Sequence, residues 1–294
     1  MITSSKIQLS STEIQYLSSQ EPLSGSKPIM ILLHGFPENS WSWERYIETL
    51  SSDFRVIAPD LPGYNGSKGF PSSDSYNIAN LVEVIAEFIR AIGNAQPVHL
   101  VAHDWGGVIA WPLVAFHEGL IKKVTILNAA HPAPFTREMA TNPKQQANSD
   151  YISDLISEEA FAKTSDQDHH MLRRMYGGWF KRLSQRQQLA LKTQWSDQNT
   201  MEQTFAYYKN MPQLTTTRTK QNTELKIPNI RICVPTQVLW GLRDTAFVPE
   251  VLNGMERWVE QLELHVFDDA DHWLHHQKPT HVIDYLRQFH LLAH

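Results

Sequence analysis

Short apolar runs punctuate the chain at Met30 to Leu33, Phe54 to Ala58, Val98 to Ala102, Val124 to Leu127, Thr236 to Trp240 and Leu264 to Phe267. Each is four or five residues long, too short for a buried helix, and a continuous run of that length fits a strand buried on both faces. Helical patterns separate the first four runs, among them Tyr76 to Ile92 and the stretch opening at Val108-Ile109-Ala110-Trp111. Strand alternating with helix is the rhythm of a mostly parallel sheet flanked by helices. From about His131 to Lys226 no comparable run occurs. That stretch is rich in Gln, Lys, Arg, Met and aromatics and predicts several short helices, with Thr215-Thr216-Thr217 read as a polar loop. A last helix is expected near Thr280 to Leu292.

Four of the predicted strands run into polar groups or turns. Ile29-Met30-Ile31-Leu32-Leu33 ends in His34-Gly35-Phe36-Pro37-Glu38, and Val98 to Ala102 ends in His103-Asp104-Trp105-Gly106-Gly107. Thr236 to Trp240 leads to Gly241-Leu242-Arg243-Asp244, and Leu264 to Phe267 leads to Asp271-His272-Trp273. Ligands of open parallel sheets bind beyond the carboxyl ends of the strands, so these ends can converge on one site. Ala102, Gly106 and Gly107 have the spacing of a strained strand-to-helix elbow that lifts its central residue into a cleft. Here that residue is Asp104, where esterases carry serine. A carboxylate can attack carbon and become an ester. The order aspartate, aspartate, histidine also matches nucleophile, acid and base in hydrolases of this layout. An isolated Asp-x-Gly-Gly is an ordinary turn; the three other strand ends argue against that reading here.

His34-Gly35-Phe36-Pro37-Glu38, Asp60-Leu61-Pro62-Gly63-Tyr64-Asn65-Gly66-Ser67, His103-Asp104-Trp105-Gly106-Gly107 and His272-Trp273 resemble, in order, the motifs of epoxide hydrolases of the α/β-hydrolase superfamily, relatives of the haloalkane dehalogenases. The resemblance implies the α/β-hydrolase fold. Its core would comprise residues 1–130 and 227–294, with a helical lid inserted at 131–226. It implies hydrolysis of an apolar epoxide to a vicinal diol, with Asp104 as nucleophile, His272 activating water and Asp244 orienting His272. Backbone N–H groups of Phe36 and Trp105 would form the oxyanion hole. Tyr151 and Tyr208 are the lid tyrosines expected to protonate the epoxide oxygen. Tyr208 sits in Ala206-Tyr207-Tyr208-Lys209-Asn210, which departs from the family's segment at Ala206 and Tyr207, so Tyr176 and Tyr207 stand as substitutes. Phe36, Pro37, Trp105, Tyr176 and Trp179 are expected to bind substrate, although Trp179 and Trp195 fit lid packing equally well. Asp268, Asp269 and Asp271 compete with Asp244 as the acid.

Two other functions fit the same residues in part. A haloalkane or haloacid dehalogenase would use the same triad, but it needs a halide cradle of Trp105 plus a lid tryptophan, or an arginine where Trp105 stands. A non-catalytic small-ligand receptor would have no need of the whole triad.

Composition narrows the field further. A net charge of -5 over 294 residues offers no basic stripe for nucleic acid, and no cationic run points to a membrane surface. No segment reaches the length of a membrane-spanning helix, and Met1 to Ser11 lacks a signal-peptide core, so a cytoplasmic monomer or homodimer is expected. The single cysteine, Cys233, lies between Ile232 and Val234 and is expected in the core. His272, His275 and His276 lack an evident carboxylate to complete a metal set, and the chemistry requires neither metal nor cofactor.

Overall fold

The computed structural model describes residues 2–19, 27–94, 96–215 and 226–292; Thr216 and Thr217 of the expected polar loop lie outside them. Eight strands form one sheet: β1 (Ile2–Gln8), β2 (Glu13–Ser19), β3 (Ile29–Leu33), β4 (Arg55–Pro59), β5 (Val98–His103), β6 (Ile121–Leu127), β7 (Thr236–Gly241) and β8 (Leu262–Phe267). Their spatial order is β1-β2-β4-β3-β5-β6-β7-β8. β2 pairs antiparallel with β1 and β4, and every other pairing is parallel.

The chain moves outward from β3 to β4 and then returns to the other side of β3 for β5, so the carboxyl ends of β3 and β5 lie side by side where the winding reverses. A crevice opens at such a switch point. The connections are helical: α1 (Glu44–Leu50), α2 (Ile78–Gly93) and α3 (Trp105–Phe116). In α2, Leu81, Ile85, Phe88, Ile89 and Ile92 repeat at helical spacing and are buried, the side chain of Asn77 caps the first turn, and Asn94 in a left-handed conformation ends the helix. One core cluster lies between the sheet and α2 with α3. The other lies between the opposite face and α1 with α12 (Pro279–Leu291), after the short α11 (Leu274–Gln277).

Between β6 and β7 the described residues contain no strand of the sheet. They form α4 (Pro132–Thr141), α5 (Pro143–Asn148), α6 (Ile152–Leu155), α7 (Ala160–Met175), α8 (Gln185–Ser196), α9 (Gln198–Lys209) and α10 (Pro212–Thr215). Among the described residues no helix is long and apolar enough to cross a membrane.

Three local departures from the sequence reading have simple causes. β1 and β2 carry few apolar residues, because the outer strands need bury only part of one face. β6 begins at Ile121 rather than Val124: Lys123 is buried, and its ammonium is satisfied by the carbonyls of Phe289 and Leu292, each at 2.7 Å. Cys233 is exposed rather than in the core, since Ile232 and Val234 point inward and a residue between them on extended chain points out.

Candidate active site

Asp104 sits at the turn between β5 and α3 with φ 49° and ψ -120°, a strained conformation for any residue with a Cβ. The neighbouring glycines make that turn possible. A Cβ on Gly35 would lie 2.3 Å from the Asp104 Cβ, one on Gly106 would lie 2.6 Å from the Leu33 carbonyl, and one on Gly107 would lie 2.3 Å from the Ala129 Cβ. The space that three side chains would fill is taken by the elbow. Oδ1 of Asp104 accepts the Phe36 backbone N–H at 2.7 Å. Trp105 opens α3, and the amides of a helix's first turn have no partner within the helix.

The other oxygen, Oδ2, faces His272 Nε2 at 3.5 Å. Nδ1 of His272 bonds Asp244 Oδ2 at 2.9 Å. Asp244 is fixed in turn, its Oδ1 accepting the N–H groups of Ala246 and Phe247 and its Oδ2 accepting Asn128 Nδ2 at 2.7 Å. Of the competing aspartates, Asp271 accepts the Trp273 N–H and Asp269 pairs with Lys278, while Asp268 receives Arg243 on its backbone carbonyl. Asp244 alone among these carboxylates contacts the imidazole. Burial works against charge on both Asp104 and His272. The hydrogen bond and charge of His272, with His103 and the Phe36 amide, outweigh it for Asp104 and hold its carboxyl below the ordinary value. For His272 the Asp244 charge and the bonds to Asp104 and Asp244 outweigh it and hold the imidazole well above the ordinary value.

Two cavities meet at this carboxylate. One, of about 260 Å³, is walled by apolar side chains including Val108, Pro112, Phe135 and Leu214. The second, of about 440 Å³, includes Asp154, His170, Arg174, Thr245 and His272. Asp104, Tyr151, Tyr208 and Ala246 line both. The Tyr208 ring stands edge-on to Phe36 and Trp105, with centroids 5.3 and 5.1 Å away. Burial, then the neighbouring Tyr151 and Asp104, push the Tyr208 hydroxyl well above the ordinary phenol range.

Of the other expected residues, Trp105 and Tyr207 line the apolar cavity and Phe36 the second, while Tyr176, Trp179 and Pro37 line neither. Tyr207 donates its hydroxyl to the Pro62 carbonyl at 2.7 Å. Tyr176 is expected to bind substrate but stacks on Trp273 at 4.2 Å and points its hydroxyl at Glu38, outside both cavities. Trp179, also expected there, lies on a separate crevice with Arg182 above its ring. Pro37 contributes a carbonyl rather than a wall: after the cis Phe36–Pro37 bond, that carbonyl accepts Trp195 Nε1 at 2.8 Å and Gln194 Nε2 at 3.3 Å from α8. The sequence could not distinguish these aromatics, because a tyrosine or tryptophan in a helical segment gives no sign of which way it faces.

Two supporting residues escape sequence reading altogether. Asn128, with φ 39°, clamps the loop that carries Asp244 by donating to Asp244 and to the Gly241 carbonyl while accepting the Gly241 amide. Glu38, fully buried, accepts His276 Nε2 at 2.6 Å and His275 Nε2 at 3.1 Å, with His103 Nδ1 at 3.5 Å and the Tyr176 hydroxyl at 3.4 Å. Burial opposes its ionisation, but His275, His276 and His103 hold its carboxyl well below the usual range. The histidines beside His272 therefore have a carboxylate after all, and it comes from 237 residues away in the chain.

The geometry can be compared with known proteins. The chain is 28% identical over 281 residues to epoxide hydrolase 3 of Xenopus tropicalis, covering 90% of this chain and 72% of that one. It is 28% identical to the AB hydrolase superfamily protein YfhM of Bacillus subtilis, covering 88% and 90%. An epoxide hydrolase of Bacillus megaterium, solved in complex with an inhibitor, superposes with a TM-score of 0.86 at 29% identity over 98% of this chain and all of the other. The family profile described as alpha/beta hydrolase fold matches residues 28–279, and the chain belongs to that family.

Proposed function

We propose that the protein is an epoxide hydrolase. The observation that carries this reading is the convergence of Asp104, Tyr151 and Tyr208 on both cavities, with Asp104 held between the Phe36 amide and His272. Its similarity to the named epoxide hydrolases supports the same conclusion. Residues 131–226 are assigned as the lid that brings the tyrosines over the nucleophile.

The two oxygens of Asp104 have different neighbours, which divides their roles. Oδ2, without a backbone donor among the described residues and facing the cavity beside His272, attacks one epoxide carbon; the carbon–oxygen bond breaks, and a tyrosine hydroxyl donates its proton to the departing oxygen. Oδ1, already bonded to the Phe36 amide, becomes the ester carbonyl and keeps that donor when water adds to it. His272 Nε2 takes the proton of the attacking water while Asp244 stabilises the imidazolium. The acyl–oxygen bond then breaks, the imidazolium proton passes to the departing diol oxygen, and the proton left on the new carboxyl returns to the tyrosinate, which restores the carboxylate, the phenol and the neutral imidazole.

Esterification also changes His272. Asp104 is one of the two carboxylates that favour its charged form, and the ester removes that charge, so the imidazole gives up its proton more readily at the step where it acts as a base. Halide displacement is less well served. Trp195 spends its N–H on Pro37, Trp273 spends its own on the Met175 carbonyl, and Trp179 lies off the cavities, leaving Trp105 without a lid tryptophan to complete a halide cradle.

Single turnover in water enriched in heavy oxygen tests the scheme, with enzyme in excess over an aryl or alkyl epoxide. Both oxygens of the first diol should be light, and the label should appear in the peptide containing Asp104. Heavy oxygen in the first-turnover diol would mean that water, not Asp104, opens the ring.

A further inference from the structure

The two edges of the sheet differ in character. At β1 the exposed side chains are Ser4, Lys6 and Gln8, and a lysine on an edge strand opposes pairing with another chain. At β8 they are Leu264 and Val266, exposed to 39% and 49%, on a strand with no lysine, no proline and an unbroken register against β7. The backbone of β8 is open on its outer side. The Thr236 amide donates to the Gln261 carbonyl at 2.9 Å and the Leu242 amide to the Phe267 carbonyl at 3.0 Å, so alternate residues from 261 to 267 turn their amides and carbonyls inward. Those of Leu262, Leu264 and Val266 point outward, where no strand lies among the described residues.

We propose that β8 is a self-association edge whose partner is β8 of a second copy of this chain. A twofold axis normal to the sheet sets the two strands antiparallel and continues one sheet into the other. Charge complementarity selects the register. With Leu264 opposite its own copy, Leu262 faces Val266 and Glu263 faces His265. With His265 at the axis Glu263 faces Phe267 instead, and with Glu263 at the axis two carboxylates are opposed, which is unfavourable. In the Leu264-centred register every outward amide and carbonyl of Leu262, Leu264 and Val266 finds a partner, and their side chains cover one another's apolar surface. Glu263 and His265 lie on the opposite face and touch at 2.6 Å within the strand, with side chains 42% and 30% exposed. Pairing sets each Glu263 between two imidazoles, its own and the second copy's. These residues form the non-hydrogen-bonded pairs, where side chains approach most closely.

Sedimentation equilibrium of the whole chain should show a dimer of twice 33.8 kDa that dissociates on dilution through the micromolar range, as suits an interface one strand wide. Leu264→Lys brings two ammonium groups together at the axis and should weaken association on the order of a hundredfold or more. His265→Glu alone opposes carboxylates and should weaken it about tenfold, while Glu263→Lys combined with His265→Glu exchanges the charges and should retain the dimer. Thermal unfolding at high dilution checks that these surface substitutions leave the fold intact. A chain that sediments as a monomer well above the micromolar range would overturn the proposal, as would a dimer indifferent to Leu264→Lys.

Cross-linking in a Cys233→Ser background reads the register directly. At a hydrogen-bonded antiparallel pair the Cα atoms stand about 5.5 Å apart, within reach of a disulfide. Leu264→Cys should therefore give a covalent dimer on mild oxidation. Val266→Cys should not, because the axis places the two copies of that position four residues apart, roughly 13 Å along the strands. A mixture of Leu262→Cys and Val266→Cys chains should cross-link one to the other. Dimers formed by Val266→Cys alone as fast as by Leu264→Cys would refute the register, and the proposal with it.

Discussion

Asn128 offers a sharp test of how the acid is held. Replacing it with alanine removes the 2.7 Å bond to Asp244 and both bonds to the Gly241 backbone, all of them buried. The bond to a charged carboxylate is worth about 1.5–3 kcal/mol, and each orphaned buried backbone group costs about 1 kcal/mol or more. Alanine at φ 39° adds about 1 kcal/mol more, because a Cβ without a local hydrogen bond disfavours the left-handed region. Allowing for water entering the space left, the total is about 3–5 kcal/mol, and the thermal midpoint should drop by about 5–8 °C. Asp244 would retain its two backbone donors at Ala246 and Phe247, so the acid would loosen rather than leave. If half of the lost bond is felt in the transition state, turnover falls about four- to twelvefold. Urea unfolding followed by tryptophan fluorescence measures the first quantity, and rapid-quench detection of the Asp104 ester by intact mass measures the second. Destabilisation below about 1 kcal/mol with no accumulated ester would refute the claim that Asn128 holds the acid.

Three further predictions test other parts of the site. Replacing Tyr151 and Tyr208 together with phenylalanine keeps the ring volume but removes both donors, and should slow ester formation from epoxides by on the order of a thousandfold or more; a double variant with near wild-type burst kinetics would show that the proton comes from elsewhere. Asp244→Asn should accumulate ester and lower turnover by on the order of a hundredfold or more while Asp271→Asn changes turnover little; the reverse pattern would move the acid to Asp271. His131 caps α4 by accepting the Ala133 amide on Nδ1, and burial pulls its imidazole down to about 4. It stays neutral in the folded protein while the unfolded chain takes up a proton, so this contribution is intact above pH about 6.5 and is lost as pH falls toward 4, about 3 kcal/mol in all. His131→Asn keeps a capping oxygen and should flatten the stability profile over that window; an unchanged slope by urea titration would mean that His131 is not neutral in the fold.

Much of this site is legible from the chain, for a physical reason. Central parallel strands must be apolar on both faces, so they stand out as short runs, and their carboxyl ends mark where Asp104, Asp244 and His272 emerge. The elbow is equally readable, because only small residues fit at Gly35, Gly106 and Gly107. What the pattern cannot reveal is orientation and long-range partnership. Tyr176 and Tyr208 are alike in a helical sequence, yet one faces Glu38 and the other Asp104. The Glu38 cluster joins residues from the two ends of the chain, and Asn128 looks like any polar residue after a strand. Cys233 shows the reverse case, an alternation of two apolar neighbours that was itself the signal for an outward side chain.

The bonds from Gln194 and Trp195 to the Pro37 and Glu38 carbonyls tie α8 to the segment that also presents the Phe36 amide to Asp104. In the proposed reading, the lid and the oxyanion donor are thus parts of one mechanical unit. A lid swinging away like a trapdoor would drag the donor off the nucleophile at every cycle and require its reassembly before the next. On that reading a fixed lid avoids the cost, and the apolar and the more polar cavity that meet at Asp104 give the epoxide and the more hydrophilic diol walls of different character.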